Sequence, residues 1–125
     1  MEAAQKKLQT LSEDYQKLQT DLEGIVEARQ KLESQQQENK SVQAEFASLD
    51  DDANIYKLVG PVLLKQEKSE ATMAVKSRLE FIEKEIKRIE TQIQDINTQS
   101  DKKRTEIIQL QSQAQQQAAA ASASA

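Results

Sequence analysis

The chain has 125 residues, of which 37% are hydrophobic and 3% aromatic, too small a supply for the core of a compact enzyme-like domain of this length. Lys and Arg number 17 against 21 Asp and Glu, a net charge of −4, so the clustered basic surface on which nucleic-acid affinity rests is missing. With no His and no Cys, imidazole bases and ligands, thiol nucleophiles, thiolate metal ligands and any disulfide framework are excluded. What remains, little Gly or Pro with abundant Gln, Ala and charge, is the composition of long helices or coiled coil.

The opening MEAAQKKLQT lacks the apolar run of a signal peptide, and no stretch approaches the ~18 apolar residues of a membrane span. A soluble, cytoplasmic protein is expected, with neither a membrane nor a nucleic-acid partner. The first helix is expected over about residues 2–50. Leu8, Leu11, Tyr15, Leu18, Leu22 and Ile25 alternate steps of three and four, the heptad signature of a helix that buries one narrow seam. Arg29, Gln36 and Asn39 then dilute the stripe around Leu32. Val42, Phe46 and Leu49 resume a three-four rhythm that reads as a different frame, so a slip of the stripe is expected between Leu32 and Val42. The run LDDDAN should end the helix, because Asp and Asn favour helix ends and turns.

The next segment, YKLVGPVLLKQ, holds the chain's single Pro and one of its two Gly. Gly-Pro does not continue a helix, and the flanking Ile, Tyr, Leu and Val residues read as two strands of a β-hairpin over about residues 54–66, with Gly60 supplying the unusual φ of a tight turn. Tyr56 and Leu58 share one face; Ile55, Lys57 and Val59 share the other. An isolated ribbon with two apolar faces is unstable in water, and its edges present unpaired backbone groups to other chains. Ile55, Tyr56, Leu58, Val59, Gly60, Pro61, Val62, Leu63 and Leu64 are therefore the expected surface on which other subunits add their own strands. The plainer alternative is a buried linker between helices of a larger bundle.

The second helix is expected over about residues 69–115. Val75, Leu79, Ile82, Ile86, Ile89, Ile93 and Ile96 fill seven successive seam positions, Ser100 and Lys103 are polar intrusions, and Ile107, Leu110 and Ala114 restore the stripe. A chain reversal near Gly60 and Pro61 brings Leu11 opposite Leu110, Ile25 opposite Ile96, Leu32 opposite Ile89 and Phe46 opposite Val75. The fold class is therefore mainly α, a long antiparallel two-helix coiled coil joined by a central β-hairpin that pairs with other subunits. The Gln/Ala/Ser-rich tail, residues 114–125, is expected to be frayed or disordered.

Helix, YKLVGPVLLKQE, then a helix opening SEATMAVKSRLEFIEKEIKR resembles the beta-class subunits of prefoldin. The matching residues are Leu58, Gly60, Pro61, Val62, Leu63, Lys65 and Gln66 in the hairpin, Arg78, Leu79, Ile82, Glu85 and Ile86 in the second helix, and RQKLE from Arg29 to Glu33 in the first. The resemblance covers about residues 5–113, which defines a beta-type domain over residues 1–113, and the single hairpin agrees with the beta class. It departs in the tail and in the weakened seam about Gln36. The resemblance implies a hetero-hexamer of two alpha-class and four beta-class subunits, whose hairpins join into a double β-barrel and whose coiled coils hang from it like tentacles. It further implies an ATP-independent chaperone that holds unfolded chains, actin and tubulin in eukaryotes, at the coiled-coil tips and passes them to the cytosolic group II chaperonin.

On that footing, client contact is expected where the helix ends fray and the seam opens, at Leu8, Leu11, Tyr15, Leu18, Ile107, Ile108 and Leu110. Ile108 sits beside the seam residue Ile107 and should stay partly exposed; the others also serve as ordinary seam residues. No catalysis and no cofactor are expected. The carboxylates spread along solvated helix faces, no Gly-rich phosphate loop is present, and Asp50 to Asp52 lack the ligand spacing of a calcium loop. The rival reading is a non-chaperone coiled-coil tether or scaffold subunit, which needs neither an apolar hairpin nor exposed tip residues.

Overall fold

The computed structural model describes residues 2–124; Met1 and Ala125, the outer ends of the expected domain and tail, lie outside the described residues. Helix α1 spans Glu2–Ser48, strands β1 and β2 span Ile55–Val59 and Val62–Gln66, and helix α2 spans Lys68–Ala123. The element order is the expected one, two long helices joined by a single hairpin, while α2 runs past the end expected near residue 115. The strands pair antiparallel, with Ile55 opposite Gln66, Leu58 opposite Leu63 and Val59 opposite Val62.

The reversal rests on two residues. Gly60 has φ of 60° and is the sole residue of positive φ among those described, so Pro61 keeps its ordinary negative φ. A positive φ at the first central position alone is a type II′ turn, whose twist suits a two-residue hairpin. A Cβ on Gly60 would meet nothing within 4 Å, so the cost of Gly60→Ala is backbone strain alone. We expect that variant to lose about 1–2 kcal/mol of stability in denaturant unfolding, with no repacking elsewhere.

Helix α1 stops where expected, before the acidic run. The Leu49 N–H donates to the Phe46 carbonyl at 3.3 Å and the Ala53 N–H to that of Asp50 at 3.0 Å, closing a turn. A Lys from the other helix completes the junction: Lys68 Nζ donates to the Leu49 carbonyl at 2.7 Å and pairs with Asp51 at 3.3 Å. A cation at a helix C-terminus satisfies carbonyls left without intrahelical donors and suits the helix dipole.

The fold divides into two compact units, one formed by the chain up to Glu27 and from Glu90 onward, the other by Ala28–Ile89. The hairpin unit holds six of the buried apolar residues: Ile55, Ala71, Val75, Ile82, Ile86 and Ile89. Each large aliphatic among them contributes about 1.5–3 kcal/mol on burial. The chain-end unit buries Leu11 and the polar Ser100, and its other seam residues are half-covered apart from Ala114, which is exposed.

The diluted stretch of α1 stays in the seam: Gln36 and Asn39 are half-buried in the frame that begins at Leu8, because helical periodicity belongs to the backbone and polar side chains can occupy its positions. That frame's next position, Gln43, is exposed, and Phe46 and Leu49 are half-buried, the rhythm of the offset frame. One expectation is corrected: the tail is not disordered over its described length, since α2 runs on to Ala123. Ala and Gln are strong helix formers and no Gly or Pro ends the run.

Candidate functional site

The hairpin places Leu58, Leu63, Tyr56 and Lys65 on one face and Val59, Val62, Lys57, Leu64, Ile55 and Gln66 on the other, because side chains alternate along a strand. Leu58 is 69% exposed and Leu63 62%, and Tyr56, Val59, Val62 and Leu64 are exposed too. Ile55 differs from the rest of the group expected at a subunit surface. It is buried and shares a cavity lining with Phe46 and Val75, so its side chain serves this chain's own core. The two strands are a two-stranded sheet, so each has one edge unpaired within the chain. Apolar residues exposed on both faces, with free edges, form a surface suited to strand addition.

The chain-end unit brings the other expected group together. Leu11 is buried, Leu8, Tyr15, Leu18, Ile107 and Leu110 are half-buried, and Ile108 is 57% exposed. Leu8, Leu110 and Ala114 line one cleft of about 100 Å³ with Ala4, Gln5 and Gln117. Farther along the same unit polar contacts bridge the two helices: Gln19 Nε2 donates to Ser100 Oγ at 3.4 Å, and Lys103 Nζ lies 3.8 Å from Asp14. These contacts lie within about one helical turn of the register expected from a reversal at Gly60. Polar layers of this kind fix register at a cost in stability.

Phe81 and Val42 were missed as surface features. Phe81 is 64% exposed, and the signal for it was a large aromatic residue one step off the seam at Ile82. Farther along α2, Arg88 donates to Glu85 through Nε at 3.3 Å and Nη2 at 2.8 Å. Those hydrogen bonds, aided by the guanidinium charge, hold the Glu85 carboxyl below its ordinary value. The pair's contribution is therefore complete above the ordinary carboxylate range and fades as pH falls through the lowered value, and as a surface pair it is small. Among the described residues no helix is long and apolar enough to cross a membrane.

Comparison with known proteins is consistent along nearly the whole chain. The family described as Prefoldin subunit matches residues 4–114. Prefoldin subunit 6 of Homo sapiens is 49% identical over 112 residues, covering 90% of this chain and 87% of that protein. Prefoldin subunit 6 of Saccharomyces cerevisiae is 51% identical over 104 residues, covering 83% and 91%. Among solved structures, the prefoldin beta subunit from Thermococcus strain KS-1 superposes with a TM-score of 0.76 at 28% identity, covering 81% of this chain and 89% of that one. With two helices joined by one antiparallel hairpin and relatives near half identical across most of its length, the chain belongs to the prefoldin subunit family and has the fold of its beta subunits.

Proposed function

We propose that the chain is a subunit of an ATP-independent chaperone, assembled through its hairpin with other prefoldin subunits, two of alpha and four of beta class. In this reading it holds unfolded polypeptides such as actin and tubulin at its chain-end unit and hands them to the cytosolic chaperonin. Family membership supports the chaperone role. The observation that carries the division of labour is the uneven burial of the two units: six buried apolar residues in the hairpin unit, against Leu11 alone in the chain-end unit among the described residues. A half-covered aliphatic seam offers many weak contacts to varied sequences, each aliphatic group contributing at most about 1.5–3 kcal/mol, so that capture is reversible without nucleotide. A tether would need no such surface.

The test is capture of chemically unfolded actin by the reconstituted complex, read by light scattering in the absence of ATP. Ile108→Ser should weaken capture by about tenfold or more, the loss of one aliphatic contact, with the mass of the complex unchanged. Ile108 is already exposed, so helicity should not move. A complex that assembles but leaves actin aggregation unaffected would favour the scaffold reading.

A further inference from the structure

Beside the hairpin lies an apolar groove of about 280 Å³, lined by Val42 and Phe46 from α1, Ile55 and Leu58 from β1, and Ala74 and Arg78 from α2. Phe81 extends this side of α2. It follows Ala74 by seven residues, two helical turns, and so lies on almost the same line along the helix; it is 64% exposed. The charges of the lining are one-sided. Arg78 and Lys57 belong to it and no carboxylate does, and Arg78 forms no ion pair with a carboxylate of the described residues.

An exposed aromatic residue one turn from an uncompensated guanidinium, at the border of an apolar groove, is the composition of an interface centre. The groove is also continuous with the exposed hairpin, since Tyr56, Lys57 and Leu58 belong to both. We infer that the groove and Phe81 together seat a segment of an adjacent prefoldin-family subunit, which inserts apolar side chains and brings a carboxylate to Arg78. The subunit interface then extends from the hairpin onto the side of α2, and Arg78 sets which neighbour fits. The inference rests on the assembly reading given above. An unfolded client is the poorer occupant, because varied sequences bring no carboxylate at a fixed position.

The experiment uses the complex reconstituted from the full chain and purified partner subunits, with subunit release followed by native mass spectrometry against isotope-labelled chain. Arg78 and Phe81 both face solvent in the single chain, so Arg78→Glu and Phe81→Ala should keep its circular dichroism. Arg78→Glu should release from the complex about thirty-fold faster or more, the effect on dissociation of removing one partner of a desolvated charge pair. A benzophenone-bearing phenylalanine at position 81 should cross-link to a partner subunit. If the wild-type chain joins no complex, the assembly reading fails and takes this inference with it. If the wild type assembles but both variants exchange at its rate, or the cross-link forms with unfolded actin instead, the groove is not a subunit interface while assembly through the hairpin stands.

Discussion

Replacing Leu58 and Leu63 together by Asp should prevent the chain from joining a complex with other prefoldin subunits while leaving it helical. The two residues are direct cross-strand partners and are 69% and 62% exposed in the single chain. Their carboxylates would therefore stay in water before assembly, where like charges directly opposite on a ribbon cost only about 0.2–1 kcal/mol. Covered by a neighbour's strand, each would instead meet an effective desolvation penalty of several kcal/mol, and the burial of two leucines, about 1.5–3 kcal/mol apiece, would be lost as well. Circular dichroism should not change, because the buried residues of α2, Val75, Ile82, Ile86 and Ile89, are untouched. Co-purification of the double variant with partner subunits at wild-type yield would remove the hairpin from the assembly surface.

Deleting residues 1–12 and 107–125 should abolish suppression of client aggregation and leave the complex intact. The deletion removes Leu8, Leu11, Ile107, Ile108 and Leu110, and with them the cleft that Leu8, Leu110 and Ala114 line. It leaves all six buried apolar residues of the hairpin unit in place. Multipoint capture depends steeply on the number of contacts, since each aliphatic group is worth at most about 1.5–3 kcal/mol and five are lost together. Light scattering of diluted, chemically unfolded actin or tubulin reads the effect, with native mass spectrometry as the control for assembly. Unchanged suppression by the shortened chain would place client contact elsewhere on the molecule. The comparison with Ile108→Ser separates a single exposed contact from the whole half-covered seam.

The most legible part of the sequence was the seam of α2. Val75, Ile82, Ile86 and Ile89 are buried, Leu79, Ile93 and Ile96 are half-buried, and the three-four rhythm identified all seven because heptad spacing converts directly into one helix face. The hairpin was equally legible, since Gly60 and Pro61 permit few turns and the strands on either side pair from Val59 opposite Val62 outward. The first helix was read less well. Gln36 and Asn39 looked like a break and are instead half-buried members of the seam that begins at Leu8, because polarity at a position does not alter the pitch that places it there. The described part of the tail is helical for a similar reason. Low hydrophobicity argued for disorder, while the absence of a helix-ending residue let α2 continue to Ala123.

By itself the sequence determined two helices, the hairpin between them and the point of chain reversal, all set by local backbone geometry and by spacing along the chain. Coverage was decided by the tertiary structure. Ile55 is buried while its strand neighbours are exposed, Ser100 is buried in a seam otherwise half-open around it, and Phe81 stands uncovered beside a groove that holds an uncompensated Arg78. Whether an apolar residue is buried depends on how many neighbours the rest of the chain can bring against it. Two helices and a two-stranded ribbon supply enough for one side of each element and leave the other sides for partners.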